Sequence, residues 1–145
     1  MLLTEIKFGS PAYDASVALR DEVLRKPLQL QFTIDQLSVE WEQYHLAAYD
    51  KAYQMQATLS LSPVSRNTIK MRQVAVQPRM QGRGIGRVLV EFCERFCQGK
   101  GFQKITLHAR DVAVPFYEKL GYKKTGQPFE EVGIRHFKME KRLPA

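Results

Sequence analysis

The strongest chemical signal in this sequence is a short loop in which glycines and arginines alternate. The residues are Arg79, Gly82, Arg83, Gly84, Gly86 and Arg87. Glycine lets backbone N–H groups converge because it has no Cβ. A helix predicted to begin at about Ile85 adds unpaired N–H groups and the positive end of its dipole. The loop therefore predicts a site for a phosphate or pyrophosphate, and the alternative is a plain turn with arginines in solvent.

Two familiar phosphate-binding loops do not match this pattern. A P-loop requires Lys-Ser or Lys-Thr after its last glycine, where this chain has Arg87-Val88. The dinucleotide fingerprint requires G-x-G-x-x-G and an acidic residue about twenty positions later. Here the glycines are spaced G-x-G-x-G, and the segment 104–108 contains no acidic residue. Both of these classes are excluded.

The elements around the loop must hold it in place. Apolar alternation predicts a strand over 68–76 before it, and an amphipathic helix over 85–98 after it. Gly99-Lys-Gly101 ends the helix, and a strand over 104–109 follows. Strand, helix and strand in this order predict a right-handed crossover between two parallel strands.

The sequence before the loop predicts one strand, then two helices, then two strands that form a hairpin. The strands cover 2–8, 44–49 and 52–61. A helix from Ser10-Pro11 to about Arg25 has an apolar stripe of Ala12, Ala15, Leu19 and Val23. Thr33 to Gln36 resembles a capping box. After residue 109, a short helix over 112–120 ends at Gly121, and strands over 126–133 and 135–143 complete the chain.

Two motifs together resemble the GCN5-related N-acetyltransferase (GNAT) superfamily. The first is Gln81-x-x-Gly84-x-Gly86 after a strand, which is similar to its acyl-CoA pyrophosphate loop. The second is Ala113-Val-Pro-Phe-Tyr-Glu-Lys-Leu-Gly-Tyr122, and Arg110 stands where the family often has asparagine. The resemblance implies an α/β (α+β) fold with a mixed, mostly antiparallel twisted sheet flanked by helices. The implied order is β-α-α-β-β-β-α-β-α-β-β, in one N-acetyltransferase domain over 1–145.

The resemblance also implies a cosubstrate site for acetyl-CoA, with no metal. The pantetheine arm would pair with the strand edge Val74-Ala75-Val76, and a backbone N–H there would polarise the thioester carbonyl. The phosphates would bind the amides of Gln81, Gly82, Arg83, Gly84, Ile85, Gly86 and Arg87. Tyr117 occupies the family's position for the general acid that protonates the leaving thiolate, although an aromatic residue at the core edge is the plain alternative.

The acceptor amine must lose a proton before it can attack. The segment from Phe129 to Met139 resembles the F-x-E-x-G-I-x-H-x-x-M stretch of one GNAT branch with small-molecule acceptors, with Arg135 in place of its usual proline. The resemblance therefore implies that Glu131 and His136 face the acceptor. The alternative is a solvated carboxylate and an edge histidine with a structural role.

The length, net charge and cysteine content of the chain limit which classes of protein it can belong to. At 145 residues and net charge +7, the chain is long enough for one domain with a core, and it is basic enough for coenzyme A or nucleic acid. Cys93 and Cys97 are expected to be small core residues. Without a hydrophobic leader or an apolar run of transmembrane length, we expect a cytoplasmic protein that does not bind membranes.

The function predicted from these observations is N-acetyltransfer from acetyl-CoA to a small primary amine, directly and in a ternary complex. Two alternatives use the same residues differently. One is a non-catalytic acyl-CoA sensor, and the other is a basic nucleic-acid-binding domain, which the absence of an aromatic-and-basic RNA signature disfavours. By resemblance, a homodimer is one expected assembly.

Overall fold

The computed structural model describes all 145 residues and divides into two compact units. The first unit comprises Met1–Ser62 and Gln73–Cys93, and the second comprises Pro63–Arg72 and Glu94–Ala145. The strands are β1 Leu2–Ile6, β2 Tyr44–Tyr49, β3 Met55–Pro63, β4 Thr68–Val76, β5 Lys104–Arg110, β6 Lys123–Glu131 and β7 Ile134–Arg142. The α-helices are α1 Pro11–Arg20, α2 Ile34–Ser38, α3 Ile85–Gly99 and α4 Val114–Lys119.

The strands form one seven-stranded sheet in the order β1-β2-β3-β4-β5-β7-β6. Strands β1 and β2, β2 and β3, β5 and β7, and β6 and β7 pair antiparallel. Strands β4 and β5 pair parallel, from Thr68 opposite Lys104 to Met71 opposite Leu107. The mixed, mostly antiparallel fold predicted from the sequence is confirmed, and so is the parallel pair on either side of α3.

Helix α1 begins where the sequence places it, and most of its predicted apolar stripe faces the core. The Ser10 hydroxyl accepts a hydrogen bond from the Tyr13 amide at 3.2 Å, as an N-cap does. Of the predicted apolar stripe, Leu19 is buried, Ala12 and Val23 pack against the core, and Ala15 is exposed. Tyr13, Ser16 and Arg20 are buried as well, and hydrophobic periodicity does not find Ser16 and Arg20 because both are polar. Beyond Arg20 the chain continues as a π-helical turn over Asp21–Arg25.

In the second unit, several contacts fix α4 and the turn that follows it. Pro115 lies in the first turn, and Gly121 adopts φ +96° just beyond the helix end. The Tyr122 amide donates to the Tyr117 carbonyl oxygen at 3.0 Å. Lys141 Nζ donates to the Leu120 carbonyl oxygen at 2.7 Å, which satisfies a further carbonyl at this end.

Candidate functional site

The glycine loop has the backbone that its sequence predicts. Strand β4 ends at Val76, a 3₁₀ turn covers Pro78–Met80, and α3 begins at Ile85. Gly82 and Gly84 adopt φ +78° and +81°, which side-chain-bearing residues rarely adopt. An added Cβ at either glycine would meet nothing within 4 Å. Backbone conformation, not lack of space, is therefore the reason for glycine at these positions.

The amides at the start of α3 lie at an exposed helix N-terminus. The Val88 amide donates to the Gly84 carbonyl oxygen at 3.1 Å, which is the first intrahelical bond. The amides of residues 85–87 precede it, in the turn where a helix offers its own N–H groups no acceptor. Arg83 and Arg87 are exposed beside them. The loop therefore combines unpaired donors, a helix dipole and positive charge, which is the arrangement that binds phosphate.

Strand β4 changes conformation before it reaches the loop. Gln73 adopts φ +54°, two residues after the segment paired with β5 ends at Met71. The expected pantetheine edge, Val74-Ala75-Val76, follows this irregularity. The Gln81 side-chain amide donates to the Val76 carbonyl oxygen at 3.2 Å, so the loop is tied to the strand that precedes it.

A buried ion pair lies next to this part of β4. Arg20 and Glu40 are only 1% and 3% exposed, and Arg20 donates to both carboxylate oxygens of Glu40, at 2.8 and 2.9 Å. Tyr13 donates to Glu40 at 2.6 Å, and Arg20 also donates to the Gln73 side chain at 3.1 Å. We call Tyr13, Arg20, Glu40 and Gln73 the Glu40 network. The network thus holds the side chain of Gln73, the one residue of β4 with a positive φ.

The electrostatics of the Glu40 network are those of a satisfied buried cluster. Burial alone would raise the pKa of Glu40, but hydrogen bonds from Arg20 and Tyr13 outweigh burial and lower it. Burial and the bond to Glu40 raise the pKa of Tyr13 to about 12. His45, whose Nε2 lies 2.9 Å from the Glu40 carbonyl oxygen, has its pKa lowered by burial.

Tyr117 lies on α4 and is 8% exposed. Its ring packs edge-on against Phe116, with centroids 5.0 Å apart, and against Tyr122 at 5.7 Å. These contacts hold the ring firmly at its position. The role of the phenol as an acid stays a prediction.

Glu131 and His136, which the sequence places in the acceptor site, lie close together. Glu131 Oε2 is 3.7 Å from His136 Nε2, across the β6–β7 pair. Two residues that sequence reasoning did not single out join them. His108 Nδ1 lies 3.4 Å from the same Glu131 oxygen and 3.3 Å from Lys70 Nζ. We call Lys70, His108, Glu131 and His136 the Glu131 cluster.

A signal for His108 and Lys70 was present in the sequence. Each is a polar residue between apolar neighbours in a predicted strand, so each marks the polar face of its strand. Their meeting depends on register, because Lys70 lies opposite Thr106, two residues before His108. Residues two apart on a strand share a face, but the sequence does not specify which residue of β4 lies opposite which residue of β5.

The first unit also contains a cleft of about 840 Å³ between α1 and the chain that follows it. Apolar Val17, Leu30 and Phe32 line it, together with Asp14 and an exposed pair of Asp21 and Lys26, 3.8 Å apart. It adjoins the segment 25–36. A cleft with apolar walls and a few charged groups suits an organic amine.

The profile of the acetyltransferase (GNAT) domain matches residues 24–143. This chain belongs to the GNAT family. The match includes the glycine loop, α4 and the Glu131 cluster. None of the helices combines the length and the apolar character needed to cross a membrane.

Related proteins are consistent with this membership. The uncharacterized protein YyaT of Bacillus subtilis (strain 168) is 32% identical over 77 residues, which is 53% of this chain and 52% of the relative. The chain thus aligns with about half the length of that relative. A crystal structure of a Lactobacillus plantarum protein, proposed to be an N-acetyltransferase, is 26% identical with a TM-score of 0.86, covering 99% of this chain and 100% of the other.

A further GNAT acetyltransferase, from Elizabethkingia anophelis, was solved with acetyl-CoA bound. It has the same fold at 17% identity and a TM-score of 0.75, covering 98% of this chain and 97% of that one.

Proposed function

We propose that this protein is an acetyl-CoA-dependent N-acetyltransferase that acts on the primary amine of a small molecule, by direct transfer in a ternary complex. The observation that carries the proposal is the exposed loop with left-handed Gly82 and Gly84 at the start of α3, in a chain of the GNAT family. Residues 1–145 form its single catalytic domain under this proposal.

The proposed cosubstrate contacts follow from the chemistry of coenzyme A. The diphosphate binds the amides of residues 82–87, where the helix dipole and the arginines favour negative charge. The Gln81 amide, which the resemblance also implies, already donates to the Pro78 carbonyl oxygen at 3.3 Å. The pantetheine amides pair with the edge of Val74-Ala75-Val76, as an added strand does. Tyr117 supplies the proton that the leaving thiolate requires, since a phenol is a suitable donor to a thiolate whose conjugate acid has a pKa near 8.5.

Each unit offers one segment for acceptor contacts under this proposal. Segment 25–36 of the first unit adjoins the cleft with Asp14 and Asp21, and segment 127–137 of the second unit contains Glu131. Carboxylates of this kind attract an ammonium group, which supports a cationic small-molecule acceptor. The homodimer and the cytoplasmic location stay predictions.

Coenzyme A titrated calorimetrically into the protein tests the loop directly. Gly84→Ala forces a left-handed alanine, at a cost of about 1 kcal/mol or more, or shifts the amides. We expect at least a tenfold loss of affinity, about 1.4 kcal/mol. Gly99→Ala is the matched control, because Gly99 ends α3 with nothing within 4 Å of its added Cβ and no left-handed φ. Equal affinities of the two variants would refute the loop as the phosphate site.

Turnover is tested by the release of free thiol from acetyl-CoA with a panel of primary amines. Tyr117→Phe keeps the ring packing and removes the acidic proton. We expect a loss of kcat of about 10²-fold with unchanged affinity for coenzyme A. Binding of coenzyme A without turnover of any amine would instead support the sensor function.

A further inference from the structure

The Glu131 cluster brings side chains from four strands to one face of the second unit. In the register of the sheet, Arg110 on β5 lies opposite His136 on β7, and Phe129 on β6 lies opposite His136. His108 is two residues before Arg110 on β5, and Glu131 is two residues after Phe129 on β6. Because residues two apart on a strand share a face, His108 and Glu131 project to the same face as His136. Residues far apart in the sequence thereby form one titratable group.

His108 uses only one of its two ring nitrogens. Its polar contacts, to Glu131 Oε2 at 3.4 Å and to Lys70 Nζ at 3.3 Å, are both made by Nδ1. The ring packs edge-on against Phe129, with centroids 4.8 Å apart, and the side chain is 30% exposed. The ring is therefore held while Nε2 makes no hydrogen bond within the protein.

His136 is placed differently. Its Nδ1 donates to the Ile134 carbonyl oxygen at 2.8 Å, its Nε2 faces Glu131, and its side chain is 6% exposed. Both nitrogens are directed at protein oxygens, and the ring stacks on Phe129 with centroids 5.9 Å apart. Because Nδ1 is the donor to Ile134, Nε2 can donate to Glu131 only when the ring carries a second proton. His136 is also less accessible to an acceptor than His108.

The two neighbours of His108 Nδ1 favour different tautomers. A carboxylate only accepts, so its contact favours Nδ1–H and leaves the lone pair on Nε2. An ammonium only donates, so the Lys70 contact favours the proton on Nε2. Lys70 also repels a protonated imidazole. Glu131 and Lys70 therefore favour opposite protonation states of the same nitrogen, His108 Nδ1.

The charges around His108 keep it neutral near pH 7. Burial, and then Lys70, lower the pKa of His108, and Glu131 opposes them. His136 on β7 also lowers the pKa of His108. Other basic groups at this face are Lys138, directly opposite His108 in the register, and Arg110 on β5. Burial, and then Arg72, lower the pKa of Lys70 itself.

We propose that His108 Nε2 is the base that takes the proton from the acceptor ammonium, and that Glu131 holds His108 Nδ1–H so that Nε2 presents its lone pair. This assignment rests on the proposed N-acetyltransferase function. It makes His108, which the sequence motifs did not assign, the base in place of His136.

The proton balance is complete without another reactant. An ammonium R–NH₃⁺ gives one proton to His108 Nε2, and the resulting amine attacks the thioester carbonyl carbon. As the C–S bond breaks, the second proton leaves the nitrogen and reaches the thiolate, with the Tyr117 phenol as its carrier. The third proton stays on the amide, and His108 returns its proton to solvent.

The first test is an NMR titration of the full-length protein, whose three histidines are His45, His108 and His136. Long-range proton–nitrogen spectra distinguish the tautomers. We expect neutral His108 with its proton on Nδ1. Glu131→Gln should lower the pKa of His108 and Lys70→Gln should raise it, while Glu130→Gln, the exposed neighbouring carboxylate, should leave it unchanged. Shifts of the same sign, or a proton on Nε2 in the wild type, would overturn the proposal.

The second test is the pH profile of kcat/KM for an amine that the wild type acetylates. Wild type should reach a plateau near neutral pH, because its base is already neutral there. In His108→Gln the amine must lose its proton in solution, so kcat/KM should fall by about 10²-fold at pH 7 and rise tenfold per pH unit toward the pKa of the amine, about 10. His136→Gln should keep the plateau.

The failures of the two proposals are distinguishable. If wild type releases no thiol with any amine, the proposed function fails and the base assignment fails with it. If wild type turns over and His108→Gln keeps its plateau and rate, only the assignment to His108 fails. Calorimetry with coenzyme A on His108→Gln, expected to match wild type, shows that a loss of rate does not reflect a misfolded protein.

Discussion

The Glu40 network and the Glu131 cluster place similar groups in opposite circumstances. Each contains a glutamate and a basic side chain, with a histidine nearby: His45 contacts the Glu40 backbone, whereas His108 contacts the Glu131 carboxylate. Around the Glu40 carboxylate, hydrogen-bonded atoms are 2.6–2.9 Å apart, and both partners of the ion pair are almost fully buried. Around Glu131, the contacts are 3.3–3.7 Å long, and the carboxylate side chain is 46% exposed.

Under the proposed mechanism, this difference separates a structural polar site from one that exchanges protons. In the Glu40 network every contact favours the ionised carboxylate, so the network has one stable charge state. In the Glu131 cluster, Glu131 favours a proton on His108 Nδ1 and Lys70 disfavours it. A small change in the surroundings can therefore move that proton. A group that must exchange protons with a substrate needs the second arrangement.

The largest expected difference is in stability. Glu40→Gln removes one partner of a buried ion pair and should lower the free energy of unfolding by about 3–5 kcal/mol. Glu131→Gln, at an exposed pair, should change it by less than about 1 kcal/mol. Urea unfolding followed by circular dichroism measures both, with exposed Glu42→Gln as the control for Glu40. Similar losses of unfolding free energy in Glu40→Gln and Glu131→Gln would contradict the distinction between the Glu40 network and the Glu131 cluster.

Alkaline pH tests the Glu40 network through Tyr13. Its folded pKa of about 12 lies above the ordinary 10.0, so its contribution to stability is present below pH 10 and is lost as pH rises to 12. Two units correspond to about 3 kcal/mol at most. In the ultraviolet titration of the folded protein, a phenol with a pKa of about 12 should be present in wild type and missing in Tyr13→Phe. Tyr49, whose pKa burial also raises, should titrate in the same way in both proteins. Persistence of the phenol with a pKa of about 12 in Tyr13→Phe would assign that pKa elsewhere.

Acid pH tests His45. Because its folded pKa is lowered, the unfolded state binds a proton first, and stability falls as pH drops below the ordinary value of 6.5. The slope from this one group is at most about 1.4 kcal/mol per pH unit. His45→Gln should flatten the dependence of unfolding free energy on pH between 7 and 5. An unchanged slope would show that His45 is not the group that titrates.

The smallest expected effect is at Lys70. Its pKa is lowered by burial and by like charges, so Lys70→Gln removes repulsion as well as a contact. We expect the unfolding free energy to stay within about 0.5 kcal/mol of wild type or to rise, as at sites where function opposes stability. Thermal unfolding measures this. A loss comparable with that of Glu40→Gln would make the Glu131 cluster a structural element too.

Much of the fold was predictable because its signals are local. The glycines of the loop, the cap at Ser10 and the Thr33–Gln36 capping box act within a few residues, and the structure contains each of them. Strand β4 has the predicted bounds, 68–76. The apolar stripe of α1 was largely predicted, but the burial of Arg20 and Ser16 was not, because both are polar and periodicity reads only apolar residues.

By itself, the sequence determined the order of the elements, the glycine loop and the segment with Glu131 and His136, since each depends on neighbouring residues. Only the tertiary structure decided that Glu40 joins Tyr13 and Arg20, and that His108 lies between Lys70 and Glu131. Strand register brings such residues together across tens of positions in the chain. A shift of one residue would turn each of these side chains to the other face of the sheet.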